Sequence, residues 1–227
     1  MTAAPRLKSE SGETVLLGTI SLDHYLGTGE ILPGGGILNM AWHWATLGRP
    51  FRLLTRIGAD DGAPIRQFLE LNGIVAARPG DLEAAGQSSA IDITIQADRQ
   101  PFMDNFLPGV WDTYRLADGE RRLLTRGSRL HVVLVEGAIA ELTRLAVDGA
   151  LGGIMVSADF LSFRHYDVER FAQTMADVDL GFIGWPGSED DEQLRRIRDI
   201  AFDLGRLVVV TMGSSAILAF DGRASRD

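Results

Sequence analysis

Pro33-Gly34-Gly35-Gly36-Ile37-Leu38-Asn39-Met40-Ala41 is the stretch on which the fold turns. Three consecutive glycines open a segment, Ile37 to Leu47, whose apolar residues recur at helical spacing, and Gly48 stops it. Glycine at a helix start lets a ligand approach backbone N–H groups that lack an intrahelical partner. Asn39, one turn in, adds a directional side chain. Such a start suits hydroxyls or an anion. Downstream, a strand is expected at Phe51–Ile57, running into Gly58-Ala59-Asp60-Asp61-Gly62. Upstream, the apolar run Thr14–Ile20 is too short for a core helix and reads as a buried strand. Asp23 follows at its carboxyl end, where open α/β sheets hold ligands; a turn cap is an equal reading of its position.

Within the first helix, Trp42 and Trp44 read as packing residues and His43 as structural. A helix over Ala63–Asn72 ends at Gly73, and Ile74–Ala77 reads as another short strand. The β-α-β-α-β order argues for a mostly parallel sheet. Residues 78–87 read as a polar loop. Ser89–Gln96 then alternates apolar and polar with period two, the pattern of a half-exposed strand. Asp98-Arg99-Gln100 turns into a second such segment near Phe102–Phe106. With residues 24–32 these pieces form a small antiparallel sheet standing off the main body, placed to act as a lid. The α/β order then resumes. Strands are expected at Leu130–Val135, Gly153–Asp159, Leu180–Gly184, Leu207–Thr211 and Ala216–Phe220. Helices are expected at Ala138–Gly149, Tyr166–Ala176 and Ser188–Leu204, the last with Ser188 as N-cap.

The composition narrows the function. A chain of 227 residues with 45% hydrophobic and 23% charged residues can bury a substantial core. No apolar run approaches a membrane span. Met1–Glu13 is polar and reads as a flexible tail rather than a signal peptide, with one domain over 14–227. A formal net charge of −9 weighs against a nucleic-acid partner. The lack of cysteine excludes disulfides, thiolate metal ligands and a cysteine nucleophile, and fits a reducing cytoplasm. Lys8 is the only lysine, so Schiff-base and Walker-lysine chemistry in the body is excluded.

Four pieces in this order resemble the ribokinase-like, or PfkB, family of carbohydrate kinases. They are Ile20-Ser21-Leu22-Asp23; Gly34-Gly35 with Asn39; Arg56-Ile57-Gly58-Ala59-Asp60-Asp61-Gly62; and Val208-Val209-Val210-Thr211-Met212-Gly213. The resemblance runs from about Val15 to the last residue. Asp98-Arg99 through Pro108-Gly109-Val110-Trp111-Asp112, and the Pro-Gly-Gly at Pro33, are most similar to the fructoselysine 6-kinase branch. The resemblance implies a three-layer α/β/α sandwich with a mostly parallel sheet and a β-lid near residues 21–33 and 88–110. It implies transfer of the γ-phosphoryl of ATP to a sugar hydroxyl with Mg²⁺. Carried over by position, Asp23, Gly34, Gly35 and Asn39 contact the sugar, and Thr211 and Gly213 contact the nucleotide. Arg99 approaches the acceptor or its phosphate, or is a surface arginine.

The chain departs from the family pattern in three places. The family's Gly-Ala-Gly-Asp, whose amides hold the transferring phosphoryl and whose Asp is the general base, does not occur in the 227 residues. It is expected beyond Asp227, so the chain reads as C-terminally truncated, with no catalytic base of its own. The Asn-x-x-Glu segment that organises Mg²⁺ falls at 184–192, where the Asn is missing. Glu189 is then the metal-ligand counterpart, or else part of an acidic turn that satisfies the helix dipole. Ser214-Ser215-Ala216 replaces a segment that usually carries glycine. An uncovered sheet face and strand edge are expected, with a homodimer through that face or the lid. Two functions follow: a sugar kinase inactive as this chain alone, or a non-catalytic sugar- or nucleotide-binding relative with a regulatory or scaffold role. A dinucleotide-binding Rossmann domain is disfavoured, because no Gly-x-Gly-x-x-Gly follows the first strand.

Overall fold

The computed structural model describes residues 13–97, 99, 101–163 and 166–224. The expected tail up to residue 12, the turn residues Asp98 and Gln100, and Asp227 lie outside the described residues. The first half of the chain forms β1 (Thr14–Leu17), β2 (Ser21–Tyr25), β3 (Glu30–Gly34), α1 (Gly36–Thr46), β4 (Arg52–Leu54), β5 (Ile57–Gly58), α2 (Ala63–Leu71), β6 (Glu83–Ala84), β7 (Ser89–Ile95) and β8 (Pro101–Leu107). The second half forms α3 (Asp118–Arg121), β9 (Arg129–Val133), α4 (Glu136–Val147), β10 (Met155–Ser162), α5 (Val168–Met175), β11 (Leu180–Gly184), α6 (Glu192–Leu204), β12 (Leu207–Thr211) and β13 (Ile217–Asp221).

The main sheet runs β13-β12-β11-β10-β9-β1-β4. Every neighbouring pair is parallel except β12 with β13. Alternation along β1 sorts the layers. Leu16 faces Ile37, Ala41, Ile65 and Leu69 of α1 and α2. Val15 and Leu17 belong to the core under α4, α5 and α6, with Leu142, Phe171, Met175 and Ile197. The chain leaves β1 first for β4 on one side and later for β9 on the other. That reversal puts a switch point at the carboxyl ends of β1 and β9, where sheets of this kind usually leave a crevice for a ligand.

A second sheet of four strands runs β3-β2-β7-β8. Its outer strand β8 is exposed along its whole length. This is the small sheet expected to stand off the body, but it is mixed rather than antiparallel, because β2 pairs parallel with β7 between two antiparallel hairpin partners. Over β10–β13, the sheet face that α1 and α2 cover further along stays partly open: Phe182 and Val209 are half-buried, and Ile217 is 73% exposed. Among the described residues, no helix is long and apolar enough to cross a membrane.

Four other expectations need correction. The strand expected over Phe51–Ile57 breaks after Leu54, and Ile57–Gly58 pairs instead with Glu83–Ala84. The break falls where the Arg56 guanidinium meets buried Glu120 at 3.0 Å and the Arg56 carbonyl accepts from Trp111 Nε1. Ile74–Ala77 is no strand; it touches β4 through one bridge, Leu53 to Ala76. Ser188 caps no helix, because α6 begins at Glu192. The Asp191 carboxylate accepts from Trp185 Nε1 and from the Ser188 N–H, both at 3.0 Å, and folds residues 185–191 into a loop. Trp42 is not a core residue: it is 38% exposed, and its Nε1 donates to Asn72 Oδ1.

Candidate functional site

Asp23 lies on β2, which pairs with β3 so that Ser21 faces Gly34 and Asp23 faces Leu32. Its carboxylate leans back over Gly34. A Cβ on Gly34 would lie 1.9 Å from Asp23 Oδ2, so only glycine leaves room for this rotamer. The Ser21 hydroxyl donates to Asp23 Oδ1 at 2.6 Å and fixes the group. Burial raises the Asp23 carboxyl above its ordinary value, against the lowering effects of Ser21 and of His24. The carboxylate keeps acceptor capacity for hydroxyls of a ligand.

Gly35 follows at φ 99°, and a side chain there would also press on the Thr19 carbonyl at 2.9 Å. The positive φ turns the chain sharply into α1. The first turn of α1 carries no acidic residue and no side-chain cap, which leaves its amides open to a ligand. Asn39 sits one turn in, exposed, with its N–H on the Gly35 carbonyl. Gly36 packs against Val133 and Leu161, so this helix start stands over the carboxyl ends of β9 and β10. Asp23, Gly34, Gly35 and Asn39 are thus brought together beside the switch point.

Asp159 of β10 belongs to the same end of the sheet. Its Oδ1 accepts from the Leu161 N–H at 2.8 Å, and Leu161 itself has φ 57°. Burial raises the Asp159 carboxyl. The sequence reading ended a strand at Asp159 and gave the residue no role. The signal that flagged Asp23, an aspartate at the carboxyl end of a parallel strand, applied equally.

Thr211 and Gly213 end β12, four strand steps from β1, about 19 Å across the sheet. The Thr211 hydroxyl donates to the Ile183 carbonyl, and Gly213 sits in a turn at φ 60° with open space where a Cβ would be. These two share the carboxyl edge with Asp23 but do not touch it. Glu189 is exposed in the loop that Asp191 organises. Among the described residues, no group of three or more His, Cys, Asp and Glu side chains converges as a metal site. Glu189 alone therefore does not fit a protein-held Mg²⁺. Arg99 lies at the far turn of the lid, exposed, at φ 66°. Asp23 pairs with Ile91 and β7 continues to Ile95, so Arg99 stands about 13 Å or more further out along the strand.

No protein-family model and no curated protein sequence matches the chain. Solved structures do. A ribokinase of Arabidopsis thaliana, complexed with ribose and ATP, superposes with a TM-score of 0.68 at 18% identity, covering 94% of this chain and 76% of that one. A fructokinase of Halothermothrix orenii gives 0.67 at 19% identity, covering 93% and 84%. A nucleoside kinase of Methanocaldococcus jannaschii gives 0.65 at 16% identity, covering 93% and 74%. The chain has the ribokinase-like fold: an α/β sandwich on a mostly parallel sheet, with a β-lid.

Proposed function

We propose that the chain binds a small polyhydroxylated acceptor, a sugar or the ribose of a nucleoside, between Asp23, the Gly34-Gly35 turn, Asn39 and the lid. The fit of the Asp23 carboxylate over Gly34 carries this reading. A half-buried carboxylate, held by Ser21 beside open helix amides, is built to accept hydroxyls rather than to pair with an arginine. The solved kinases that share the fold, one of them complexed with ribose and ATP, support phosphoryl transfer from ATP to such a hydroxyl as the related chemistry. ATP then meets Thr211 and Gly213 at the other end of the same sheet edge, and Mg²⁺ arrives with its phosphates. Arg99 reaches the acceptor only with a large movement of the lid tip.

Phosphoryl transfer depends on positioning and charge stabilisation. None of the 227 residues forms a Gly-x-Gly-Asp segment, and loss of a general base alone costs about 10²–10⁴-fold in rate. These 227 residues on their own would then turn an acceptor over slowly, whatever continues the chain. The closed 185–191 loop, with Asp191 rather than Glu189 as its organiser, favours the non-catalytic binding role over the kinase role. Copies associate through the open sheet face or the lid; sedimentation as a stable monomer would remove that part.

A coupled ADP-release assay and a thermal-shift screen test the reading together, using ribose, fructose, fructoselysine and inosine with and without Mg·ATP. A ligand of the folded state raises the melting temperature. A shift with at least one acceptor, and turnover well below about 1 per second, is expected. No shift with any acceptor would contradict the binding role. Ordinary kinase turnover would contradict the binding-only role.

A further inference from the structure

Both roots of the β7–β8 half of the lid converge on the motif Arg56–Gly62. The incoming segment zips along it. The Ile57 N–H donates to the Leu82 carbonyl, that of Ala59 to Ala84, and that of Asp60 to Gly86. At the point where β7 leaves the body, Ser88 is gripped twice: its N–H donates to Asp61 Oδ1 at 2.7 Å, and its Oγ accepts from the Gly58 N–H at 2.9 Å. The outgoing root docks at the same place. The Val110 N–H donates to the Gln87 carbonyl, and Trp111 Nε1 donates to the Arg56 carbonyl.

Two glycines flank the backbone at Gln87-Ser88. A Cβ on Gly58 would lie 2.3 Å from Gln87 C and Ser88 N, and one on Gly109 would lie 2.4 Å from the Gln87 carbonyl oxygen. Buried hydroxyls continue the grip into the lid: Thr19 Oγ1 donates to Ser89 Oγ, and Ser89 Oγ donates to the Pro108 carbonyl, both at 2.7 Å. Ser88 and Ser89 are 2% and 0% exposed, so these bonds are made away from water.

We infer that Arg56–Gly62 with Ser88 and Gly109 is a socket that fixes the lid against the body, and that Asp61 and Ser88 are positioning residues for acceptor binding. They act through β7 on β2, which carries Asp23 at the register of Ile91. The link to the acceptor rests on the function proposed above; the socket itself does not.

Hydrogen–deuterium exchange of the ligand-free chain separates the two. In Asp61→Ala and Ser88→Ala, amides of β2, β7 and β8 should exchange about tenfold faster, the loss of one hydrogen bond of this kind, while β9, β11 and β12 keep their wild-type rates. Asp61→Asn retains an acceptor oxygen and should restore most of the protection. Acceleration spread evenly over the main sheet, or none in the lid, would overturn the socket. Ser88→Ala deletes one atom and leaves a folded chain to measure should Asp61→Ala not fold. Acceptor affinity forms the second arm. It should fall in Asp61→Ala and recover in Asp61→Asn. If it stays at the wild-type value while lid exchange rises, the positioning role fails. If the wild type binds no acceptor, the function reading fails while lid exchange still decides the socket.

Discussion

The carboxylate of Asp23 fills the space that a side chain on Gly34 would need, with Oδ2 only 1.9 Å from where that Cβ would stand. The Asp23 carboxylate and the glycine turn are therefore one device. Gly34→Ala should drive Asp23 off its Ser21 hydrogen bond and lower acceptor affinity at least about tenfold, or 1.4 kcal/mol. The overpacking itself should destabilise by about 1–3 kcal/mol. Calorimetric titration and urea unfolding of the variant check both.

Asp23→Asn separates charge from shape. Burial raises the Asp23 carboxyl, so its protonated form favours the fold. That contribution is complete below the unfolded value and is lost as pH rises through the folded one. At pH 7 the asparagine variant, which still accepts from Ser21, should melt no lower than wild type. Its advantage should shrink as the pH is lowered toward 4. Acceptor affinity should fall all the same. Melting curves at three pH values measure the first effect and titration the second.

His131 gives the opposite pH slope. It is 7% exposed, its Nδ1 pairs with Ser157 Oγ at 2.9 Å, and burial lowers its pKa to about 4. The unfolded chain takes up the proton first. Stability from the neutral ring is thus full above the ordinary histidine value and is lost as pH falls toward 4. Between pH 7 and pH 5, the stability gap between wild type and His131→Gln should narrow by about 2 kcal/mol. Urea unfolding of the two proteins at both pH values reads it.

Arg56 and Glu120 form a buried ion pair, 12% and 2% exposed, with the guanidinium also over the Tyr114 ring at 5.4 Å. Arg56→Met leaves the buried Glu120 carboxyl, among the described residues, with only the Ala117 N–H as partner and should cost about 3–5 kcal/mol. The double variant Arg56→Met, Glu120→Leu should recover most of that loss. Urea unfolding of the single and double variants forms the required cycle.

The strands Leu180–Gly184 and Leu207–Thr211 were legible residue for residue, because short apolar runs bounded by turn residues leave no other choice. The lid was legible from period-two alternation at Ser89–Ile95. What the sequence hid depends on long-range partners. Nothing local shows that Arg56 will meet Glu120, 64 positions away, and break the strand after Leu54. Closer in sequence, acidic residues crowd 189–192, and their order does not show that Asp191 will take the Ser188 N–H while Ser188 Oγ takes that of Asp190. At the site, Asp23 and Gly34 were marked by motif and then found in contact. Asp159 was given no role, and of the two readings of Arg99 its exposed place at the far turn of the lid suits the surface arginine.

Titration calorimetry of the wild type and of Asp23→Ala tests the central claim most directly, with ribose, fructose, fructoselysine and inosine each at about 10 mM, above ordinary enzyme KM values. Saturable heat is expected with at least one of them in the wild type and none in the variant. No binding by the wild type, or equal binding by Asp23→Ala, would contradict an acceptor site at Asp23 and Gly34.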